Sequence, residues 1–251
     1  MMMNLFWGVF GLIIGSFLNV VIFRVPQGES IVKPRSHCPQ CKHVLKAWEL
    51  IPVLSFLVLR GRCHSCGAKI SWRYPGVEFL TGLLFFLWAW QNPLESVPVL
   101  GVHFTMLAVL LVLALIDWDT MRLPDVFTLP LLFLGIASSF LLPMEVSGGE
   151  SLVTALGAGG IFWLIAKLYP QGMGLGDVKL IAGIGAFLGF PKILLALFIA
   201  SLAGSIVGLL WMVIRGRQFR AQIPFGPFLA FGTYATLFGG DWLLQIFFNL
   251  I

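Results

Sequence analysis

The sequence predicts an all-α integral membrane protein of about eight transmembrane helices with one small cytoplasmic loop domain, and three observations carry that prediction. Of its 251 residues 59% are hydrophobic and only 11% charged, whereas an ordinary soluble domain carries roughly a quarter charged residues. The apolar residues are strung into blocks long enough to cross a hydrocarbon core, which takes about 20 residues. The excess positive charge is confined to one polar segment, residues 24–75, where nine Lys/Arg face only Glu29 and Glu49. This composition excludes a soluble globular protein, and its 23 Phe and 9 Trp exclude a disordered chain.

The first element is an apolar span at 4–23. It has no basic n-region and its first charge, Arg24, follows the apolar run, so it is expected to stay in place rather than be cleaved. Cations after a first span hold that end in the cytoplasm, which predicts an N-terminus outside and the loop from Arg24 inside. Further spans are read at 76–91, 101–117, 126–142, 151–169, 178–190, 193–214 and 225–248. The sixth is short and rich in glycine (Gly183, Gly185, Gly189), and it and the short second span are candidates for tilted, broken or re-entrant segments. Alternate loops differ in charge as this topology requires: Arg122, Lys179, Arg215, Arg217 and Arg220 fall inside, while Glu95, Glu145 and Glu150 fall outside. Lys192 is the outside cation that breaks the pattern. The domain division is therefore 1–23, 24–75 and 76–251, with no internal repeat and no low-complexity stretch.

The loop holds all four cysteines, as Cys38-Pro-Gln-Cys41 and Cys63-His-Ser-Cys66 separated by 21 residues. Two C-x-x-C pairs read as a zinc site, since each pair bites one tetrahedral ion from a tight turn and four thiolates close the coordination sphere. The role is then structural. Two disulfides are the alternative, disfavoured in a reducing cytoplasmic compartment. His37, His43 and His64 flank the cysteines, but the shell is already full. About fifty residues make a poor core, and a metal supplies the missing folding energy.

Acidic residues beside apolar spans are functional candidates by default. Asp117 ends the third span; Asp119 and Asp125 follow it; Asp177 opens the sixth within Gly172-Met-Gly174-Leu-Gly176-Asp177. Two crossings lie between Asp117 and Asp177, so both return to the cytoplasmic edge. Two carboxylates at a partly desolvated site share a proton, and one then serves as base toward water and the other as acid toward a carbonyl oxygen. That is aspartic-protease chemistry. The glycines before Asp177 suit it through close backbone approach or positive φ, although Asp177 as a helix cap with ordinary glycine packing explains the same residues. Asp117 abuts the apolar helix most closely; Asp119 suits a solvated connecting turn, and Asp125 an N-cap for the fourth span.

Together these residues resemble the type IV prepilin peptidases, bacterial leader peptidases that are membrane aspartic proteases of the G-x-G-D type. The likeness runs through Gly15-Ser16-Phe17-Leu18-Asn19 in the first span, the four cysteines, Arg73-Tyr74-Pro75-Gly76-Val77-Glu78, Asp117 with Leu123-Pro124-Asp125, and Gly174-Leu-Gly176-Asp177. The resemblance implies Asp117 and Asp177 as the catalytic pair with Gly174 and Gly176 as active-site backbone. It also implies cleavage of a basic prepilin or pseudopilin leader after glycine, and N-methylation of the new N-terminus with S-adenosylmethionine. The setting implied is the bacterial inner membrane and a pilus or secretion system.

No nucleotide-binding fingerprint marks the methyl-donor site. Glu78 is a candidate contact for the substrate amine or methyl donor, or else a helix-start carboxylate. Anionic lipid headgroups fit the basic loop, with no nucleic acid partner expected. Gly8, Gly11 and Gly15 read as a packing stripe, Arg215, Arg217 and Arg220 as inside anchors, and Asp241 as remote from the chemistry. A zinc-regulated transporter and a non-catalytic assembly platform are the rival functions. The first needs polar groups along the membrane depth that the other spans lack.

Overall fold

The computed structural model describes residues 2–170, 172–215 and 223–249; Arg217 and Arg220 lie outside them. Among the described residues the chain is all-helical with no strand, and eight long helices fall on the eight apolar blocks: α1 (Met2–Arg24), α3 (Arg73–Gln91), α4 (Val97–Thr120), α5 (Asp125–Leu141), α6 (Gly148–Leu168), α7 (Leu175–Leu188), α8 (Lys192–Arg215) and α9 (Gly226–Asn249). A five-residue helix, α2 (Leu54–Val58), and a 3₁₀ turn at Ala47–Leu50 lie within the loop. Four segments, Met2–Gln27, Val97–Thr120, Gly148–Leu168 and Lys192–Ile214, are long and apolar enough to cross a membrane. The chain folds as two compact units, Met1–Ser96 and Val97–Ile251.

In the first unit α1 lies along α3, and glycine sets the distance between them. A Cβ on Gly11 would fall 2.8 Å from both Gly82 Cα and Thr81 O, and one on Gly15 would fall 2.7 Å from Glu78 Cα. Gly82 returns the contact, its Cβ position lying 2.7 Å from Leu12 Cδ2. The stripe is thus a packing face, the small-residue solution to association where lipid removes the hydrophobic drive. A polar tie crosses the same seam: Asn19 Nδ2 donates to Tyr74 O of α3 at 3.1 Å, as well as to Gly15 O of its own helix at 3.3 Å.

In the second unit α4 and α7 are the buried helices, both packed against α5 and α9. Leu107, Leu110, Leu113 and Ile116 of α4 are fully enclosed, as are Leu180, Ile181 and Ala186 of α7. Helix α7 spans 14 residues, about 21 Å at 1.5 Å per residue, against about 30 Å of hydrocarbon. Its surroundings are protein: Val178 and every residue from Leu180 to Leu188 are buried. It fits because small residues line its contacts. A Cβ on Gly159 of α6 would meet Ala182 Cβ at 2.9 Å, and Ser151 Oγ donates to Ala186 O at 2.8 Å. Gly189 ends α7 at φ 63°, and the Glu150 carboxylate accepts from Phe190 N at 3.1 Å in the turn that follows.

The two ends of this unit carry separate ion pairs. Lys179 meets Asp125 at 2.7 Å at one end. At the other, Lys192 meets Glu145 at 2.6 Å and Asp241 at 3.0 Å. The cation that breaks the charge pattern is therefore neutralised by two acids at its own edge. Asp125 is not the N-cap of α5; Pro124 holds that position and Asp125 is the first helical residue, turned to Lys179.

Gly11→Ala is expected to lower the thermal midpoint in detergent, at a cost of about 1–3 kcal/mol, because its Cβ meets backbone that cannot yield cheaply. Gly76→Ala, whose Cβ would meet nothing within 4 Å, should melt like the parent chain.

Candidate active site

Helix α4 continues to Thr120, three residues past the predicted end of its span, and this sorts the aspartates. Asp117 occupies the last turn with 5% exposure. Asp119 lies on the same helix rather than in a connecting turn, and two residues of helix rotate it about 200° away, onto an exposed face. Asp177 sits in the first turn of α7, whose N-cap is Gly174, so it is not itself the cap. Its carboxylate folds back to accept from the Gly174 backbone and lies within coulombic reach of Asp117. The structure thus brings together the two aspartates that bracket α5 and α6.

The glycines before Asp177 act through proximity. A Cβ on Gly176 would fall 2.8 Å from Leu123 Cβ, so glycine lets the start of α7 press against the segment that follows α4. Gly174 has φ −78° and ψ 149°, an extended conformation open to other residues, and positive φ plays no part at either position. On Asp117, Oδ2 accepts a hydrogen bond from the Gly226 backbone N–H at 2.8 Å. Sequence reading passed over Gly226. Its signal was the Gly226-Pro227 pair opening a helix, which marks a start and says nothing of what the start faces.

In the other unit the four cysteine sulfurs lie within 4.8 Å of one another, with Cys38 to Cys66 and Cys41 to Cys63 both 3.9 Å. Disulfides need about 2.05 Å. Four sulfurs at about 2.3 Å around one tetrahedral ion sit about 3.8 Å apart, so the cluster fits a metal ion. Two knuckles present them, and the second repeats the first bond for bond. Cys38 N donates to His43 O at 2.9 Å and Cys63 N to Ala68 O at 2.8 Å. Lys42 N and Gly67 N each turn back to the first cysteine's carbonyl at 2.9 Å, with φ of 59° and 71°. The bridges His37–Val44 and Arg62–Lys69 close the two turns. This repeat in structure has only the cysteines as its trace in sequence.

The Cys41 backbone N–H holds the Cys38 thiol down to about 6. Cys66 is lowered by the Ala68 N–H but pushed up to about 11 overall by Cys41, burial and the Cys63 and Cys38 sulfurs. Crowded thiols resist ionising together without a cation. The histidines have other partners. His43 Nε2 meets Glu49 Oε2 at 3.1 Å, His37 Nδ1 meets Arg35 O at 3.0 Å, and the His64 ring stands edge-on to Trp48 at 5.3 Å. The Lys46 backbone N–H holds the Glu49 carboxyl below the usual carboxylate range.

Glu78 is 9% exposed on α3. Its Oε2 accepts from Val53 N at 2.7 Å and it also bonds Ser16, so it ties the loop to α1 and α3. Val53 has φ 60°, a costly conformation for a β-branched residue. Val53 and Ser16 also line an apolar groove of about 600 Å³ walled by Leu12, Ile51 and Phe79.

Residues 9–92 match the family model of the bacterial peptidase A24 N-terminal domain, and residues 104–209 that of the type IV leader peptidase family. The chain is 39% identical over 267 residues to a prepilin leader peptidase/N-methyltransferase of Neisseria gonorrhoeae, covering 93% of this chain and 89% of the relative. One of the same description from Legionella pneumophila is 36% identical over 97% of this chain and 93% of its own. Another, from Myxococcus xanthus, is 43% identical over 83% of this chain and 63% of its own. No solved structure matches.

A loop stapled through four sulfurs should come apart when the ion is withdrawn. Chelator treatment, or Cys63→Ser, is expected to expose Lys and Arg sites within residues 24–75 to trypsin. The segment from Val97 onward should keep its protection, read by mass spectrometry of the fragments.

Proposed function

The chain belongs to the type IV leader peptidase family, and on that premise we propose that it is a membrane aspartic endopeptidase with a second, methylating activity. It cleaves the basic leader of a prepilin or pseudopilin after glycine at the cytoplasmic face of the inner membrane. It then N-methylates the new N-terminal residue. The observation that carries this reading is the pairing of buried Asp117 with Asp177 at one end of the second unit. In this mechanism one carboxylate takes a proton from water, whose oxygen attacks the scissile carbonyl carbon. The other, protonated, gives its proton to the carbonyl oxygen, and collapse of the tetrahedral intermediate passes a proton to the leaving amine. Gly174 and Gly176 serve as the backbone that brings Asp177 to this position.

Cys38, Cys41, Cys63 and Cys66 hold a structural zinc in this reading, supported by sulfur separations that suit a tetrahedral ion. S-adenosylmethionine, the co-substrate, supplies the methyl group. Glu78 orients the substrate amine or the donor; its bond to Val53 joins it to the cysteine loop. The N-terminus lies outside, with the loop and both aspartates on the cytoplasmic side. A transporter would need polar groups along the depth of the unit, and α7 offers an apolar interior from Leu180 to Leu188.

Purified protein incubated with a prepilin tests the reading. Asp117→Asn and Asp177→Asn are each expected to lower cleavage by at least about 10³-fold while still folding in membranes; Asp119→Asn should cleave within a few fold of the parent. Full cleavage by either of the first two variants removes the mechanism. Cys63→Ser should lose methylation far more than cleavage, read as a processed N-terminus lacking the added methyl mass. An uncut leader from that variant, normally inserted, means the loop positions substrate for the aspartates.

A further inference from the structure

Asp117 and Gly226 are 109 residues apart, yet the Gly226 N–H to Asp117 Oδ2 bond of 2.8 Å is a buried one. It comes from the first residue of α9, whose opening turn has little else to give. Pro227 has no N–H, and the amides of Phe228 and Leu229 both donate to Phe225 O at 3.0 Å. The absence of a side chain at 226 is matched to the same carboxylate. A Cβ there would lie 2.8 Å from Asp117 Oδ2, 3.1 Å from its Cβ and 3.2 Å from its Cγ, its three nearest atoms. Backbone freedom is not the reason for glycine, since 226 is not among the positive-φ positions. A second bond, Tyr234 OH to Leu107 O at 2.8 Å, fixes the height of α9 along antiparallel α4, so the donor cannot slide off its acceptor.

We infer that Gly226 is a positioning residue for peptide cleavage: its N–H anchors one oxygen of Asp117, and its missing side chain makes the room in which that carboxylate lies. The inference rests on Asp117 being a member of the catalytic pair. An N–H can only donate, and a bare carboxylate oxygen accepts from it more strongly than a carboxyl O–H does, so the bond favours the form of Asp117 in which Oδ2 carries no proton. The proton shared by the pair is thereby biased toward Oδ1, the oxygen of Asp117 that this bond does not hold. A carboxylate free to rotate offers either oxygen in many orientations; this one offers a single oxygen in one plane. Fixed geometry of this kind is worth about 10²-fold in rate when lost by a displacement of about 1 Å.

The test is cleavage of a prepilin by purified Gly226→Ala, with Gly239→Ala as control from the same helix, where a Cβ would meet nothing within 4 Å. Gly226→Ala is expected to lower kcat by about 10²-fold with KM within about twofold, while Gly239→Ala keeps both. A kcat within about threefold of the parent, in a Gly226→Ala protein that melts cooperatively, overturns the inference. Thermal melting supplies a second arm that does not depend on activity. Gly226→Ala should lower the midpoint in the parent and lower it much less in an Asp117→Ala background, where the carboxylate it collides with is gone. Equal losses in both backgrounds overturn the inference even if Gly226→Ala alone fails to fold. Full cleavage by Asp117→Asn is a separate result, which removes the catalytic reading on which the inference stands.

Discussion

A polar group within a hydrocarbon slab has no water to turn to and must be answered by another part of the chain. In this protein the answers come from distant segments and join the helices at defined heights. Gly226 answers Asp117, Val53 answers Glu78, Ala186 O answers Ser151 and Leu107 O answers Tyr234. Each bond is worth little in water. In an apolar interior an unmade one costs about 1–3 kcal/mol, so shifting a helix in register breaks contacts it cannot replace. The carboxylates proposed to do the chemistry are held by the same rule that holds the scaffold.

Those bonds form only if helix backbones approach closely, and glycine and alanine permit that. Gly11, Gly15 and Gly82 bring α1 onto α3; Gly159 and Ala182 bring α6 onto α7. Helix α7 depends on this most. At 14 residues it is too short to meet a bilayer face to face, and it is enclosed by its neighbours instead. Enclosure puts Asp177 at the mouth of a protein-lined interior, with Gly176 pressed on Leu123 and Asp117 close by. The chemistry of the pair follows from where a short helix is allowed to sit.

The cysteine loop solves a different problem. Its polar, basic composition gives it no core of its own, and its order comes from two knuckles converging on four sulfurs. Glu49 secures the first knuckle through His43 and the Lys46 amide, and the Trp48–His64 contact joins it to the second. Through Val53 the loop reaches the buried Glu78 at the seam between α1 and α3.

The sequence by itself determined the helices, the membrane setting, the sulfur set and the choice of Asp117 and Asp177 as candidates. Hydrocarbon demands long apolar runs, metal ligation demands fixed cysteine spacing, and a carboxylate abutting an apolar run stands out wherever it occurs. These are local patterns, readable one segment at a time. The short helix Leu54–Val58 escaped because its apolar run lies inside an otherwise polar loop and is too brief to signal by length. Asp125 looked like a cap, and only the fold supplied Lys179 as its partner, from a helix two spans away. The same holds for Asp119, turned aside by three further residues of α4, and for Gly226, whose purpose lies in a carboxylate 109 residues earlier. Which oxygen of Asp117 is anchored, and which is left free, was decided by tertiary structure alone, because hydrogen bonds between helices depend on their packing distance and height, and neither is written in the periodicity of either helix.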